Sequence, residues 1–169
     1  MVRVVWRRVA KLTYIIIMYS KEETKQMRMD FWDGFRKYST PKRRKAGKNR
    51  DWMLQKTGIK TIHLKFNLNN EKALVGIEIF HRDKYIEGLY YEKFECLRGI
   101  LRNAFGDSLI WQPDYISEEG RQMALIYVEK THTSIHRKES WEDIYSFFCE
   151  NMMKFEELFV EYKEFIKDI

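Results

Sequence analysis

The chain has 169 residues, of which 44% are hydrophobic and 15% aromatic, a composition that excludes intrinsic disorder and suits one folded domain. Its formal net charge is +6. Two short stretches without acids carry more than this, since residues 1–17 contribute +4 and residues 42–50 contribute +6, which leaves −4 for the rest. The composition therefore excludes a uniformly basic protein, and positive charge is a local feature.

The leader, residues 1–17, is basic and apolar. Its apolar run is far shorter than the about 20 residues of a membrane-spanning helix, and no small-residue cleavage site follows it. Ser20 and Glu23 have the S-x-x-E spacing of a capping box, which predicts that a helix begins there. We therefore expect translation to start naturally at Met18, with residues 18–169 forming a single domain and no membrane segment.

The hydrophobic pattern predicts seven elements in the order α-β-β-α-β-β-α. Apolar spacings of three and four residues predict helices over 20–38, 83–105 and 140–167. Alternating apolar residues predict strands over 59–69, 73–81, 108–112 and 122–129. Because hairpins rather than crossovers join these strands, the fold class is α+β, an antiparallel sheet of about four strands with helices packed on it.

Residues 41–58 have no period and are predicted to form a loop, because Thr40-Pro41 should end the first helix. Lysine and arginine side chains bind phosphates, and an exposed aromatic ring stacks on a base. The candidate site for DNA or RNA consists of Lys42, Arg43, Arg44, Lys45, Lys48, Arg50 and Trp52. The alternative is a solvated basic loop without a partner, since short basic runs are frequent.

Glu78 lies in the middle of an apolar strand, where an unpaired carboxylate costs free energy. Lys65 on the neighbouring strand is the predicted partner, and a cation of the 42–50 segment is a second candidate. A cross-strand ion pair on a half-exposed sheet explains this arrangement. The alternative is a binding or enzymatic site on this sheet face, lined by His63, Lys65, Glu78 and Trp52.

Motifs of several enzyme classes are absent from the sequence. It contains no phosphate-binding G-x-x-x-x-G-K-[ST] loop, no G-x-G-x-x-G and no G-x-S-x-G nucleophile elbow. A nuclease of the restriction-endonuclease type needs a lysine two residues after its glutamate, whereas Phe80 follows Glu78 at that spacing. His132 and His136 have no third ligand nearby, so we predict no metal and no cofactor. The sequence therefore favours a binding module over an enzyme.

The two cysteines and the last helix complete the predictions. Cys96 and Cys149 lack a second ligand at metal-binding spacing, which favours reduced thiols in a cytoplasmic protein. The helix predicted over 140–167 carries a long apolar seam that is widened by Phe147, Met153 and Leu158. Because such a seam is broader than one packing stripe needs, the alternative function is protein interaction or homodimerisation through this helix.

Several segments, taken in order, resemble a known family. They are Phe31-Trp32, Trp52, Gly58, Val75-Gly76-Ile77-Glu78-Ile79, Phe105-Gly106, Leu109-Ile110-Trp111, Trp141, Lys154-Phe155 and Phe159. Over about residues 22–166 the chain is similar to the domain-of-unknown-function 4268 family of bacteria and archaea. This resemblance implies an accessory domain with no known catalytic residues. It also implies a role around DNA, because such domains often follow restriction-endonuclease-like domains, and it implies that the 42–50 cluster is particular to this chain.

Overall fold

A computed structural model describes residues 2–48, 51–54 and 56–169, with side chains described from residue 21 onward. Within these ranges the helices are α1 (Val2–Lys45), α2 (Lys84–Cys96), α3 (Arg98–Phe105) and α4 (Trp141–Lys167). The strands are β1 (Ile62–Leu68), β2 (Lys72–Ile79), β3 (Ile110–Ile116) and β4 (Gln122–Thr131). The predicted α+β class is confirmed, and the one helix expected over 83–105 is divided at Leu97 into α2 and α3.

The four strands form one antiparallel sheet in the order β1-β2-β4-β3. Both predicted hairpins are present, and β2 and β4 are the central strands. Strand β3 is longer than predicted because it continues through Pro113, with a shift of register between Gln112 and Tyr115. An edge strand with such an irregularity tolerates proline, since the missing N–H faces no partner.

The main core lies between one face of the sheet and the helices. The apolar seam of α4 supplies buried side chains along its whole length, namely Ile144, Phe148, Met152, Phe155, Phe159 and Ile166. Helix α1 adds Phe31 and Phe35, whose rings lie 6.3 and 5.5 Å from that of Phe148. The seam predicted in α4 is therefore the packing face of the domain itself.

Tyr145 ties α4 to α1. Its hydroxyl donates a hydrogen bond of 2.9 Å to the carbonyl oxygen of Phe31. Because the side chain is removed from water, burial raises the pKa of Tyr145 to about 12. This bond and the aromatic contacts around it position the C-terminal half of α1 on the domain.

Helix α1 differs from the prediction at both ends. It begins at Val2, so Ser20 is not a helix N-cap, and it continues beyond Pro41 to Lys45. Just before the proline, the hydroxyl of Thr40 donates to the carbonyl oxygen of Arg36 at 2.7 Å, which adds a side-chain hydrogen bond within the helix. Although α1 is long, no helix in the described part of the chain has the length and apolarity needed to cross a membrane.

Gly47 ends α1. Its φ of +72° is left-handed, and its N–H donates to the carbonyl oxygen of Arg44 at 3.0 Å. The N–H of Lys48 donates to the carbonyl oxygen of Arg43 at 2.9 Å, which completes a Schellman motif. The stop signal is therefore Gly47, and the prediction that Thr40-Pro41 ends the helix is wrong.

We expect Gly47→Ala to lower the free energy of unfolding by about 1–2 kcal/mol, because an L residue is strained at positive φ. A Cβ at this position would contact nothing within 4 Å, so the cost is conformational and not steric. Urea denaturation followed by circular dichroism measures it. Gly88→Ala, within helix α2 and equally open, should instead be neutral or stabilising.

Candidate functional site

The end of α1 presents the exposed part of the basic segment. Lys42, Arg44 and Lys45 are exposed in the last turn of the helix. Within the described residues, no carboxylate lies within ion-pair distance of these three cations. Lys42 Nζ lies 4.6 Å from the centre of the Tyr38 ring, a cation–π contact that holds this lysine near the helix surface.

Two other cations of the predicted site make contacts within the domain. Arg43 is only 7% exposed, and its guanidinium donates to the hydroxyl of Thr40 at 3.3 Å and lies 5.4 Å from the Trp52 ring. Lys48 Nζ lies 3.6 Å from a carboxylate oxygen of Glu156. Arg50, the sixth predicted cation, falls outside the described residues. The basic segment is thus divided between an outer and an inner set.

Trp52 does not present the free ring face that the predicted stacking on a base requires. Trp52 is 4% exposed and belongs to the main core, where its ring stacks on Phe35 at 6.5 Å. Its indole N–H donates to the carboxylate of Glu156 at 3.0 Å. A stacking platform needs a free ring face, and packing has covered both the ring and its polar edge.

Two further cations lie on the same helix and were not singled out from the sequence. Arg36 and Lys37 are exposed on α1, and no acidic residue occurs between positions 34 and 50. The available signal was this longer acid-free stretch. It was missed because the first helix was expected to end before the basic segment, which separated Arg36 and Lys37 from it.

The sheet carries a second charged cluster, on the face opposite the helices. Lys65 Nζ lies 2.6 Å from Glu78 Oε2, which confirms the predicted pair. His63 Nδ1 lies 3.8 Å from Glu78 Oε1. The other partner is Arg121, which immediately precedes β4 and lies 3.3 Å from Glu78 Oε1. The carboxylate is therefore paired without a cation of the 42–50 segment.

Strand register explains this cluster. His63 is directly opposite Glu78 in the β1–β2 pair, whereas Lys65 is opposite Gly76 and reaches Glu78 diagonally. The turn between β3 and β4 brings Arg121 over this face, where its guanidinium also lies 4.7 Å from the Phe80 ring. The sequence could not show this long-range approach.

The cluster pairs its charges internally. Glu78 is 4% exposed, and Lys65 and Arg121 each bind one of its oxygens. Burial lowers the pKa of His63; the nearby Glu78 opposes this shift, and Lys65 and Arg121 add to it. A buried carboxylate with hydrogen-bonded cations needs no ligand to be stable, which agrees with the interpretation as a cross-strand ion pair.

A cleft of about 270 Å³ borders this cluster. Its charged lining includes three cations and three carboxylates: Arg28, Lys65, Arg121, Glu78, Glu118 and Glu119. Because the two signs balance, the cleft does not select an ion of either charge. Trp52 packs on the opposite face of the sheet, so the predicted site of His63, Lys65, Glu78 and Trp52 is not assembled as one surface.

Other candidate groups remain separate. Among the described residues, no three His, Cys, Asp or Glu side chains lie together as metal ligands. Both cysteines are free, with Cys96 exposed and Cys149 buried, and burial raises the pKa of Cys149 to about 11. That shift keeps Cys149 in its thiol form near neutral pH, so it is not an activated nucleophile.

The surface of α4 offers little of its apolar seam to a partner. Phe147, Met153 and Leu158 are half-buried and pack against the main core. Val160 and Phe165 are the large apolar side chains that this helix exposes, and Lys93 Nζ lies 4.5 Å from the Phe165 ring. The seam that suggested protein interaction is thus mainly used within the domain.

The fold and these surfaces define a small α+β domain with a charge-paired sheet face and a cationic helix end. Residues 27–163 match the family described as "Domain of unknown function (DUF4268)". The chain belongs to this family, and the resemblance predicted from its sequence is confirmed. No curated protein and no solved structure matches the chain.

Proposed function

We propose that this domain is an accessory module that binds nucleic acid through the C-terminal end of α1. The observation that carries the proposal is the exposure of Lys42, Arg44 and Lys45 without carboxylate partners among the described residues. Free cations on a fixed helix can neutralise phosphates and release the counterions condensed on them, which is the main source of affinity that does not depend on sequence.

Charge distribution supports this surface over the rest of the domain. The chain outside residues 1–17 and 42–50 carries a net −4, so this remainder as a whole offers no excess of positive charge to phosphate. Internal use of Arg43 and Lys48 leaves the outer cations grouped at one end of α1. Binding would therefore be directional, with the helix end facing the nucleic acid and the acidic remainder facing away.

A structural role of these cations is the competing explanation. Cations in the last turn of a helix interact favourably with the helix dipole, at about 0.3–1 kcal/mol each. The basic last turn of α1 fits that pattern. This role predicts a loss of stability on neutralisation and no effect on any ligand, so binding and stability must be measured on the same variants.

We expect the triple substitution Lys42→Gln, Arg44→Gln and Lys45→Gln in the full chain to weaken binding to nucleic acid about tenfold or more at moderate salt. If all three cations contact phosphates of a DNA duplex, the slope of log K against log salt concentration should fall in magnitude by about 2.7, which is about 0.9 per contact. Fluorescence anisotropy with labelled DNA and RNA across a salt series measures both quantities.

The matched control removes the same charge elsewhere, with Lys60→Gln, Arg82→Gln and Lys138→Gln, three exposed cations distant from this end in sequence. It should retain most of the affinity and the slope. Equal losses in the two triple variants would show that only net charge matters. Absence of binding by the unaltered chain at low salt would refute the proposal and make the helix-dipole role sufficient.

A further inference from the structure

The aromatic side chains near the cationic helix end are not available to bases. Trp52 is buried, and Phe35 is fully buried beside it. Tyr38 is half-buried, packs 5.6 Å from Tyr145 and is covered by the ammonium group of Lys42. Within the described residues, the C-terminal half of α1 thus presents cations without a stacking platform, although such a platform is what single-strand binders use.

Four of the exposed cations in the C-terminal half of α1 form two pairs along the helix, and Lys42 lies between them in sequence, close to the second pair. Lys37 and Arg44 are seven residues apart, which is almost two full turns, so they share one helix face about 10 Å apart along the axis. Arg36 flanks Lys37, and Lys45 flanks Arg44. No carboxylate pairs with Arg36 or Lys37 in the described part of the chain.

This face has a limited extent. Asp33 is exposed one turn before Lys37 and closes it on the N-terminal side, while Gly47 ends the helix on the other. Between the two cation pairs, residues 38–41 carry no charge, and Lys42 extends the second pair. Two cation pairs, about 10 Å apart on a rigid helix, therefore match a ligand with two rows of phosphates at a similar separation.

We infer that the ligand of this surface is a nucleic-acid duplex, which α1 contacts by lying across a groove with one cation pair on each backbone. The major groove of B-form DNA is about 12 Å wide, close to the separation of the two pairs once their long side chains extend. A single strand usually gains part of its affinity by stacking its bases on aromatic rings, and the described part of this surface offers no exposed ring. The inference rests on the proposed function and adds Arg36 and Lys37 to its contacts.

Such a surface does not distinguish one nucleotide sequence from another. Its contacts are charge-assisted bonds to phosphates, which position a protein on a duplex without distinguishing bases. We expect affinity to depend on helical form and salt and to be nearly equal for duplexes of different sequence. DNA and RNA duplexes share the phosphate chemistry but differ in groove width, so the two should bind with different strength.

The test compares a labelled 20-base-pair DNA duplex, the matching RNA duplex and one DNA strand, each titrated with the full chain between about 50 and 200 mM salt. Two paired variants, Arg36→Gln with Lys37→Gln and Arg44→Gln with Lys45→Gln, are compared with a control pair, Lys60→Gln with Arg82→Gln. All six substituted residues are exposed, and thermal unfolding by circular dichroism verifies that each variant is folded.

We expect a duplex to bind about tenfold or more tightly than the single strand, because its two backbones carry about twice the charge density and the surface offers a single strand no ring for stacking. Each α1 pair should lower duplex affinity and reduce the salt slope by about 1.8 in magnitude, while the control pair leaves it unchanged. Equal or tighter binding of the single strand, with loss only in the Arg44/Lys45 variant, would overturn the duplex inference and leave the proposed function intact. Binding of none of the three ligands would overturn both.

Discussion

Replacing Trp52 by alanine should lower the free energy of unfolding by about 3–5 kcal/mol, the range measured for buried tryptophan or phenylalanine truncated to alanine. Trp52 packs against Phe35 and Phe66 in the main core, so truncation leaves a cavity among aromatic rings. It also removes the N–H that donates to the buried carboxylate of Glu156. Because a domain is stable by only about 5–15 kcal/mol, this change alone should bring it close to unfolding.

Trp52→Phe separates the two contributions. It retains most of the ring volume and removes the hydrogen bond, so Glu156 keeps Lys48 as its partner at 3.6 Å. The expected cost is about 1–3 kcal/mol, the penalty for leaving a buried polar group without one of its partners. Urea denaturation followed by circular dichroism measures both variants. A Trp52→Ala variant as stable as the parent would contradict the buried position of this side chain.

The second large effect is expected at Gly76. This residue lies in the central strand β2, opposite Tyr127 of β4. A Cβ there would lie 2.4 Å from the carbonyl oxygen of Ile126 and 2.5 Å from Cβ of Tyr127. Since these atoms belong to the backbone and to the base of a side chain in the neighbouring central strand, they cannot move aside without displacing β4.

We therefore expect Gly76→Val to cost about 3 kcal/mol or more, at the upper end of the range for overpacked cores. Thermal unfolding followed by circular dichroism measures this, and we expect a large fall in the midpoint or loss of the transition. Gly88→Val in α2 is the control, because an added Cβ there meets nothing within 4 Å, and it should change stability far less. A Gly76→Val variant with unchanged stability would contradict the close approach of β2 and β4.

The basic segment is divided into an inner and an outer set of cations. Arg43 and Lys48 belong to a network with Trp52 and Glu156 that fixes the end of α1 to α4. Lys42, Arg44 and Lys45 face outward from the same turn. Neutralising the inner pair should change stability first, whereas neutralising the outer three should change binding first. Substitutions across the whole segment would combine the two effects and obscure both.

The amino-acid sequence determined the architecture of this protein. Periods of two and of three to four apolar residues predicted four strands and the major helices, because alternation and helical spacing are local consequences of backbone geometry. The connections between strands were short enough to require hairpins, which predicted the antiparallel sheet. The pairing of Lys65 with Glu78 also followed, since a buried carboxylate needs a nearby cation. Family membership rested on the same segments.

Only the tertiary structure determined which individual polar and aromatic side chains are buried and which partners they contact. Trp52 looked like an exposed ring beside cations, but it is buried in the main core and donates to Glu156, which is 104 residues away in the chain. Arg121 reaches Glu78 from 43 residues away, and Arg43 turns inward while its neighbours turn outward. Local pattern cannot predict such contacts, because they depend on which distant elements pack together. The end of α1 also could not be predicted locally. Pro41 was a plausible helix terminus, but the helix packs on α4, continues to Lys45 and is capped at Gly47.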